Sequence, residues 1–575
     1  MGADTRTDGQ VRHPRRSAAT VNGPEDAAAA WEATDWPRVE ADVRRLRQRI
    51  FTASQAGDYR RVRSLQKLML RSRANALWSV RRVTEQNAGR HTAGIDGHLF
   101  ATAAEKGRVV EEVVCGALPS RPAQPAKRVY LPKANGKQRP LGIPVMVDRV
   151  RQAQVVNALE PEWEARFEPK VYGFRPGRGC HDAIEAIFHV ARGPHPRRQW
   201  VLDADLAAAF DHIDHDQLLS QLGAFPARKQ VRQWLKAGVI ERGHFQPTEA
   251  GTPQGGVVSP LLLNVALHGL EQAAGVRYRP TGPQAGDTLP TSPVLVRYAD
   301  DLVVLCISRD QAEQVRIQLA DWLAPRGLRF NEDKTRIVSL AEGFDFLGFN
   351  VRRYEGKLLI KPSPRAVKRH RQRLRAEMQT LRGANAAQVL QRLNPIVRGW
   401  TAYYRTGVSS VIFSALDRYL WRLLYKWAKY RHPGKAKRWI VAQHFGQFHP
   451  SRQDRWVFGD PDSGAYGVKH AWTPIVRHRL VKAMASPDDP TLADYWATRR
   501  RRAPAPPLGG HRLRLLQRQG GTCPRCGQPL VAAVPPPQSP QDWEHWVRAH
   551  ARALVVETPS TGGTRGGRLV HAQCR

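Results

Sequence analysis

The chain has 575 residues, 41% hydrophobic and 25% charged, with 90 Lys and Arg against 51 Asp and Glu for a formal charge of +39. That length and apolar content exclude a disordered protein and call for several domains, while the charge calls for a large polyanion, nucleic acid first and an anionic membrane surface second. No apolar run approaches the roughly 18 residues of a spanning helix, the stretch Met1 to Arg16 is polar, and six cysteines in so long a chain do not make a disulfide scaffold, so a reducing cytoplasm and no membrane partner are expected.

In chain order, residues up to about 30 are small and polar and are expected to be disordered. From Trp36, the spacing of Val43, Leu46 and Ile50, then of Val62, Leu65, Leu68 and Met69, predicts basic amphipathic helices. Their interleaved arginines suit RNA backbone, an ordinary solvated face being the alternative. The three glycines of Asn87 to Gly97 mark a structured loop. Lys127 to Lys133 and Gln138 to Pro144 are strand-like and are joined through Asn-Gly, which predicts a hairpin with Lys133 and Arg139 on its two arms near the tip. Such a cation pair suits a triphosphate, Arg by its fork and Lys as a point charge; a plain surface charge pair is the other reading.

Gly173 to Gly179 is a basic turn leading into a helix expected from near His181. Gln199 to Leu206 reads as a strand ending in acid, and the period of two puts Asp203 and Asp205 on one face. Val294 to Cys306 is two apolar runs around Asp300-Asp301, which predicts a buried hairpin with both acids at its turn. Side-by-side anions there repel unless a cation intervenes, and hard Mg²⁺ prefers carboxylates together with phosphates. A solvated Asp-Asp turn is the alternative for the tetrapeptide alone. If the two elements are neighbours, Asp205, Asp300 and Asp301 can hold two Mg²⁺ ions, the arrangement that activates a 3′-hydroxyl and stabilises departing pyrophosphate.

Taken together, Leu131-Pro132-Lys133, Arg139-Pro140-Leu141-Gly142-Ile143-Pro144, Tyr172-Gly173-Phe174-Arg175-Pro176, Asp205 with Phe210-Asp211, Gly251-Thr252-Pro253-Gln254-Gly255-Gly256, Tyr298-Ala299-Asp300-Asp301 and Phe346-Leu347-Gly348-Phe349 resemble the consecutive blocks of reverse transcriptases encoded by bacterial group II introns. The resemblance covers roughly residues 60 to 480. It implies an α+β right-hand polymerase with fingers, palm and helical thumb, extending a DNA primer on an RNA template with dNTPs. It also implies a maturase that binds the intron RNA to assist splicing, and intron mobility by target-primed reverse transcription at a DNA target in the bacterial nucleoid. By that resemblance Asp205, Asp300 and Asp301 are the catalytic Mg²⁺ ligands, and Lys133 and Arg139 hold the triphosphate. Phe210 excludes a ribose 2′-hydroxyl, Gln254 lies against the nascent base pair, and Lys334 is the late-palm lysine, a helix-surface lysine being the alternative.

Beyond Lys361 the chain turns basic and helical, with six Arg or Lys between Arg365 and Arg375. Leu416, Leu420, Leu423, Leu424 and Trp427 form a core stripe, leaving Arg418, Arg422, Lys426 and some of Trp400, Tyr403 and Tyr404 to face RNA. Arg499 to Arg502 and the prolines after them read as a linker. Cys523, Cys526, His571 and Cys574, as CxxC and HxxC, make a complete tetrahedral Zn²⁺ shell. This tail resembles the HNH endonuclease domain of many intron-encoded reverse transcriptases, yet its only candidate base is His545 after Glu544, in a helical-looking stretch, and Thr561 to Arg568 lacks an Asn. A zinc-binding, HNH-like module without nuclease chemistry is expected. The expected boundaries are 1–30 disordered, 31–100 basic helical extension, 101–355 fingers and palm, 356–483 thumb and maturase domain, 484–510 linker and 511–575 zinc module. Two other functions compete: a reverse transcriptase serving defence or diversification without an intron, and an RNA-binding splicing cofactor with little polymerase activity. The intact acid set opposes the second, and the basic thumb and zinc tail oppose the first.

Overall fold

In the computed structural model, residues 27–114, 122–132, 138–281, 286–502, 505–531, 537–557 and 567–575 are described. Of the residues 1–30 expected to be disordered, those before 27 lie outside the described residues, as does Lys133, whereas 27–30 are helical, in Ala27–Glu32, which Trp31 anchors by burial. Helices Trp36–Gln55 and Tyr59–Arg71 start at Asp35 and Asp58, whose carboxylates accept the N–H of Arg38 and Arg61. Their apolar stripes, Val39, Val43 and Ile50 then Val62, Leu65 and Met69, are buried against the long helix Met146–Glu164. Two of the interleaved arginines are committed within the chain and not held out to RNA. Arg47 pairs with Glu160 and Asp488, both at 2.7 Å, and Arg63 pairs with Glu162 at 2.7 Å.

The strands that position the site are β1 (Ala126–Pro132), β2 (Gln138–Ile143), β3 (Trp200–Asp205), β4 (Val239–Glu241), β5 (His244–Gln246), β6 (Val294–Tyr298), β7 (Asp301–Cys306), β8 (Arg336–Ser339), β9 (Phe344–Phe346), β10 (Phe349–Tyr354) and β11 (Lys357–Pro362). β1 and β2 form the expected hairpin, with Pro132 opposite Gln138, and continue into a sheet of order β2-β1-β4-β5. The central sheet runs β6-β7-β3-β8, antiparallel throughout. Alternation sends Leu202, Ala204, Leu302 and Val304 to the helices of the amino-terminal half. Val201, Val296, Val303 and Leu305 go instead to the Cys180–Ala191 helix and the thumb. Both faces are covered, which is why β6, Arg297 apart, and β7 after Asp301 read as apolar runs.

The thumb helices Pro364–Thr380, Ala386–Tyr404 and Ser410–Arg431 follow a third sheet, β11-β10-β9. The leucine stripe is core as expected, but Trp400, Tyr403 and Tyr404 are only 4%, 3% and 2% exposed and do not face RNA. Tyr403 and Tyr404 pack on Phe349 at ring separations of 5.4 and 5.0 Å, and Tyr403 Oη donates to the Leu347 carbonyl at 2.8 Å. The rings thus fasten thumb to palm with the hydroxyl satisfied. Aromatics that do stay at the surface include Trp456, and Tyr430 and Trp439 with Arg382 and Lys435 over their faces at 5.5 and 5.3 Å.

The described part of 484–510, a stretch expected from composition to be a linker, is packed and not a free tether through residue 502. It carries the helix Ala493–Arg501, whose buried Trp496 donates to the Ser486 carbonyl at 2.8 Å, while Arg499 pairs with Asp182 at 3.0 Å. Proline and arginine content describes a linker only where no tryptophan drives docking. The tail's helix Pro540–Ala553 then lies across the Ala386–Tyr404 helix, where a Cβ on Gly399 would come within 2.6 Å of the Glu544 nitrogen. Glu544 is buried between Arg373 at 2.7 Å and Arg548 at 3.0 Å. Just before that helix, Gln538 Oε1 accepts the Cys180 N–H at 2.8 Å and the Tyr298 hydroxyl at 3.3 Å.

Candidate active site and metal cluster

Antiparallel register sets Asp205, the last residue of β3, directly opposite Asp301, the first of β7. Tyr298 also pairs with Asp301, so Ala299-Asp300 is a two-residue turn, with Ala299 left-handed at φ 57°. The structure therefore brings together the three acids expected to hold metal. Burial, and then the charges of Asp300 and Asp205, push the Asp301 carboxyl up to about 8. Asp300 is raised by burial and by Asp205, against the pull of Arg139 on β2 and of Lys334. Lys334 lies on a turn, not a helix, and its ammonium is ion-paired with Asp205. Asp203 shares the face, as period two requires, but is tied off by Arg336 at 3.1 Å. Carboxylates crowded so that ionisation is costly are donors of the kind a hard divalent cation relieves.

The walls are built by close backbone approach. Gly251, at φ 84°, would bring a Cβ within 2.6 Å of the Asp211 backbone, and Thr252 N–H donates to the Phe210 carbonyl at 2.6 Å. On the other side a Cβ on Gly255 would lie 2.2 Å from the Gly142 carbonyl of β2. The loop bearing Gln254 is therefore wedged between the Phe210 turn and the β1–β2 hairpin. Phe210 is half-buried, with its ring edge-on to Phe174 at 6.2 Å.

Sequence reasoning passed over the residues beneath the turn. Arg175 and Arg178, read as a basic turn, are buried: Arg175 is bidentate to Glu164 at 2.9 and 3.1 Å, and Arg178 donates to the Ala483 and Ala485 carbonyls. Arg297, fully buried in β6, donates to the Ala299 carbonyl at 3.2 Å and to Asn264 Oδ1 at 3.0 Å. The available signal was a lone arginine inside an otherwise apolar strand.

In the tail the ligand atoms of Cys523, Cys526, His571 and Cys574 all lie within 4.8 Å of one another. Burial raises the Cys523 thiol, but the N–H groups of Cys526, His571 and Arg525 outweigh it and bring it down to about 6. Cys574, hydrogen-bonded to Cys526 and partly buried, is pushed up to about 11. Three sulfurs and an imidazole fit a borderline-soft ion such as Zn²⁺. A small apolar cluster, including Leu515, Leu530, Leu554 and Leu569, backs the site. His545 is exposed on the helix Pro540–Ala553 and Glu544 is held by arginines; most of Thr561 to Arg568 lies outside the described residues.

Three families match in sequence order: residues 31–113 the N-terminal domain of reverse transcriptase, 131–351 the reverse transcriptase (RNA-dependent DNA polymerase), and 367–445 the group II intron maturase-specific domain. Protein YkfC of Escherichia coli K12 is 35% identical over 295 residues, 46% of this chain and 77% of that protein. The group II intron-encoded protein LtrA of Lactococcus lactis is 30% identical over 285 residues, 40% of this chain and 47% of that protein. A solved apo telomerase structure from Candida tropicalis is 11% identical with a TM-score of 0.32, over 46% of this chain and 60% of that one.

Proposed function

Since the chain belongs to the reverse transcriptase and maturase family of group II introns, we propose that it copies RNA into DNA at the Asp205, Asp300 and Asp301 site and binds the intron RNA to assist its splicing. The observation that carries the polymerase reading is the pairing of Asp205 with Asp301 beside the Asp300 turn. Mg²⁺ bound by these three acids would neutralise the attacking 3′-oxygen and the departing pyrophosphate. Arg139, on the hairpin facing Asp300, takes the triphosphate together with Lys133. Lys334 offsets the Asp205 charge and is positioned to pass to a phosphate oxygen when a nucleotide enters. Phe210 presents its ring to the sugar, and Gln254 meets the base pair from the loop wedged behind it. The matched maturase-specific domain and the thumb's exposed cations favour an intron RNA partner over an intron-free role in defence, and target DNA completes the mobility cycle. No helix among the described residues is long and apolar enough to cross a membrane.

The test is primer extension on an RNA template. The wild type is expected to incorporate dNTPs and discriminate against NTPs, and Phe210→Ala to lose most of that discrimination while dNTP incorporation falls less than about tenfold. Unchanged sugar selection would remove Phe210 from the site. For the tail we propose a structural Zn²⁺ on Cys523, Cys526, His571 and Cys574 with DNA binding but no cleavage, because the other acids and the other histidine of the His545 helix are engaged elsewhere: Glu544 on Arg373 and Arg548, Asp542 on the Gln538 N–H, and His550 on the Trp546 carbonyl. A plasmid-nicking assay with Mg²⁺ or Mn²⁺ should show no cut strand; cleavage that disappears in His545→Ala would establish an active nuclease.

A further inference from the structure

Ala299 takes a left-handed backbone that a residue with a Cβ adopts reluctantly, and it does so at the turn that presents both adjacent acids. Something must over-determine that turn. Beneath it Gly173 comes so close that a Cβ there would lie 2.2 Å from the Ala299 nitrogen. The Gly173 carbonyl accepts from Asn264 Nδ2 at 2.9 Å, Asn264 Oδ1 accepts from Arg297 Nη1 at 3.0 Å, and the same Nη1 reaches the Ala299 carbonyl at 3.2 Å. The backbone of Arg297 is also fixed, its N–H on the Lys170 carbonyl at 3.0 Å and its carbonyl on the Tyr172 N–H at 2.9 Å. Arg297 is 0% exposed, and its Nε and Nη2 have no hydrogen-bond partner among the described residues. A buried guanidinium so poorly satisfied is a costly way to fill space, and an aliphatic side chain would pack there with less desolvation. The opposite charges that act on it are Glu168, then Glu271 and Asp300 itself.

We propose that Arg297 is a positioning residue for polymerisation: with Asn264 and Gly173 it braces the left-handed turn and sets a positive charge behind Asp300, so that Asp300 and Asp301 are held together ready for cations. The inference rests on the polymerase reading above, but its binding measurement does not. In the full chain, Arg297→Met is expected to lower kcat for primer extension about 10²-fold, the scale of a slight misplacement of reacting groups, with KM for dNTP little changed. Mn²⁺, titrated by electron paramagnetic resonance at the sites that Asp301→Asn removes, is expected to bind the variant about tenfold more weakly, a loss of ~1.4 kcal/mol. The melting midpoint in EDTA should stay within a few degrees of wild type. Adding Ala299→Gly should recover about tenfold of the lost kcat, because glycine takes the turn without a brace. Wild-type Mn²⁺ affinity in Arg297→Met, or losses that track a fall in melting midpoint and are not recovered by Ala299→Gly, would overturn the proposal. Should Arg297→Met not fold, Arg297→Lys keeps the charge and loses the fork; it is expected to lose kcat while binding Mn²⁺ nearly normally, and full kcat would overturn the bracing role. An inactive wild type that nonetheless shows the Mn²⁺ difference would defeat the polymerase reading alone.

Discussion

Asp301→Asn is expected to abolish dNTP incorporation, by at least about 10³-fold, while raising the melting temperature of the metal-free protein. The two effects have one cause. Three carboxylates lie at the end of β3 and the β6–β7 turn, Lys334 being the ion-pair partner of Asp205 among the described residues, and burial with mutual repulsion lifts Asp301 to about 8. A carboxyl whose folded-state value lies above its unfolded one contributes its full stability below the unfolded range, near 4, and loses it progressively as pH climbs to about 8. Asparagine does not ionise, so in EDTA the melting advantage of the variant should be absent near pH 4, grow between pH 4 and 8, and level off above. Polymerisation, which needs the charge to hold the cation, goes the other way. Equal melting curves across that range, or measurable extension by the variant, would dismiss Asp301 as a metal ligand crowded by its neighbours.

Removal of Zn²⁺ is expected to unfold part of the tail and leave the rest in place. Structural zinc contributes on the order of ten kcal/mol to modules of this size. The cluster behind Cys523, Cys526, His571 and Cys574 is small, and without metal the Cys574 thiol sits at about 11 while Cys523 drops to about 6, so the sulfurs are divided between protonation states. The Pro540–Ala553 helix, by contrast, is held by the thumb through the Gly399 approach and the Arg373–Glu544 pair, neither of which involves zinc. After chelation, or in Cys523→Ser, amide hydrogen exchange should rise by orders of magnitude in 511–531 and 567–575 but stay slow in 540–553. Protection that survives everywhere would mean that the apolar cluster alone carries the module, and loss of protection across 540–553 would mean that zinc holds the thumb contact too.

The acids were legible one element at a time, because a strand's period of two puts Asp203 and Asp205 on one face and a turn between apolar runs holds Asp300 and Asp301; that the two elements adjoin was left as a condition, which the β3–β7 pairing meets. The β1–β2 hairpin and the CxxC–HxxC cluster were legible for similar local reasons. Burial of a particular arginine or aromatic was not. Arg47, Arg175, Arg297 and Arg499 are the same residue type as the exposed cations of the Pro364–Thr380 helix, and only tertiary partners such as Glu160, Glu164, Asn264 and Asp182 separate the two groups. Tyr403 and Tyr404 likewise became core because Leu347 and Phe349 wait for them on another element. Long-range pairings of that kind leave no periodic trace in the chain.

The crossing of the tail helix over Gly399 also sets a timetable for synthesis. Gln538 closes a loop of 358 residues onto Cys180, and the helix that covers Gly399 leaves the ribosome well over a hundred residues after its partner, on the order of ten seconds at ordinary translation rates. During that interval the nascent palm and thumb carry an uncovered groove and an unpaired Arg373. A stop codon falling between Arg502 and Gln538 would freeze the product in that state, with the palm's Tyr298 hydroxyl and the thumb's Gly399 face both left without the tail that covers them.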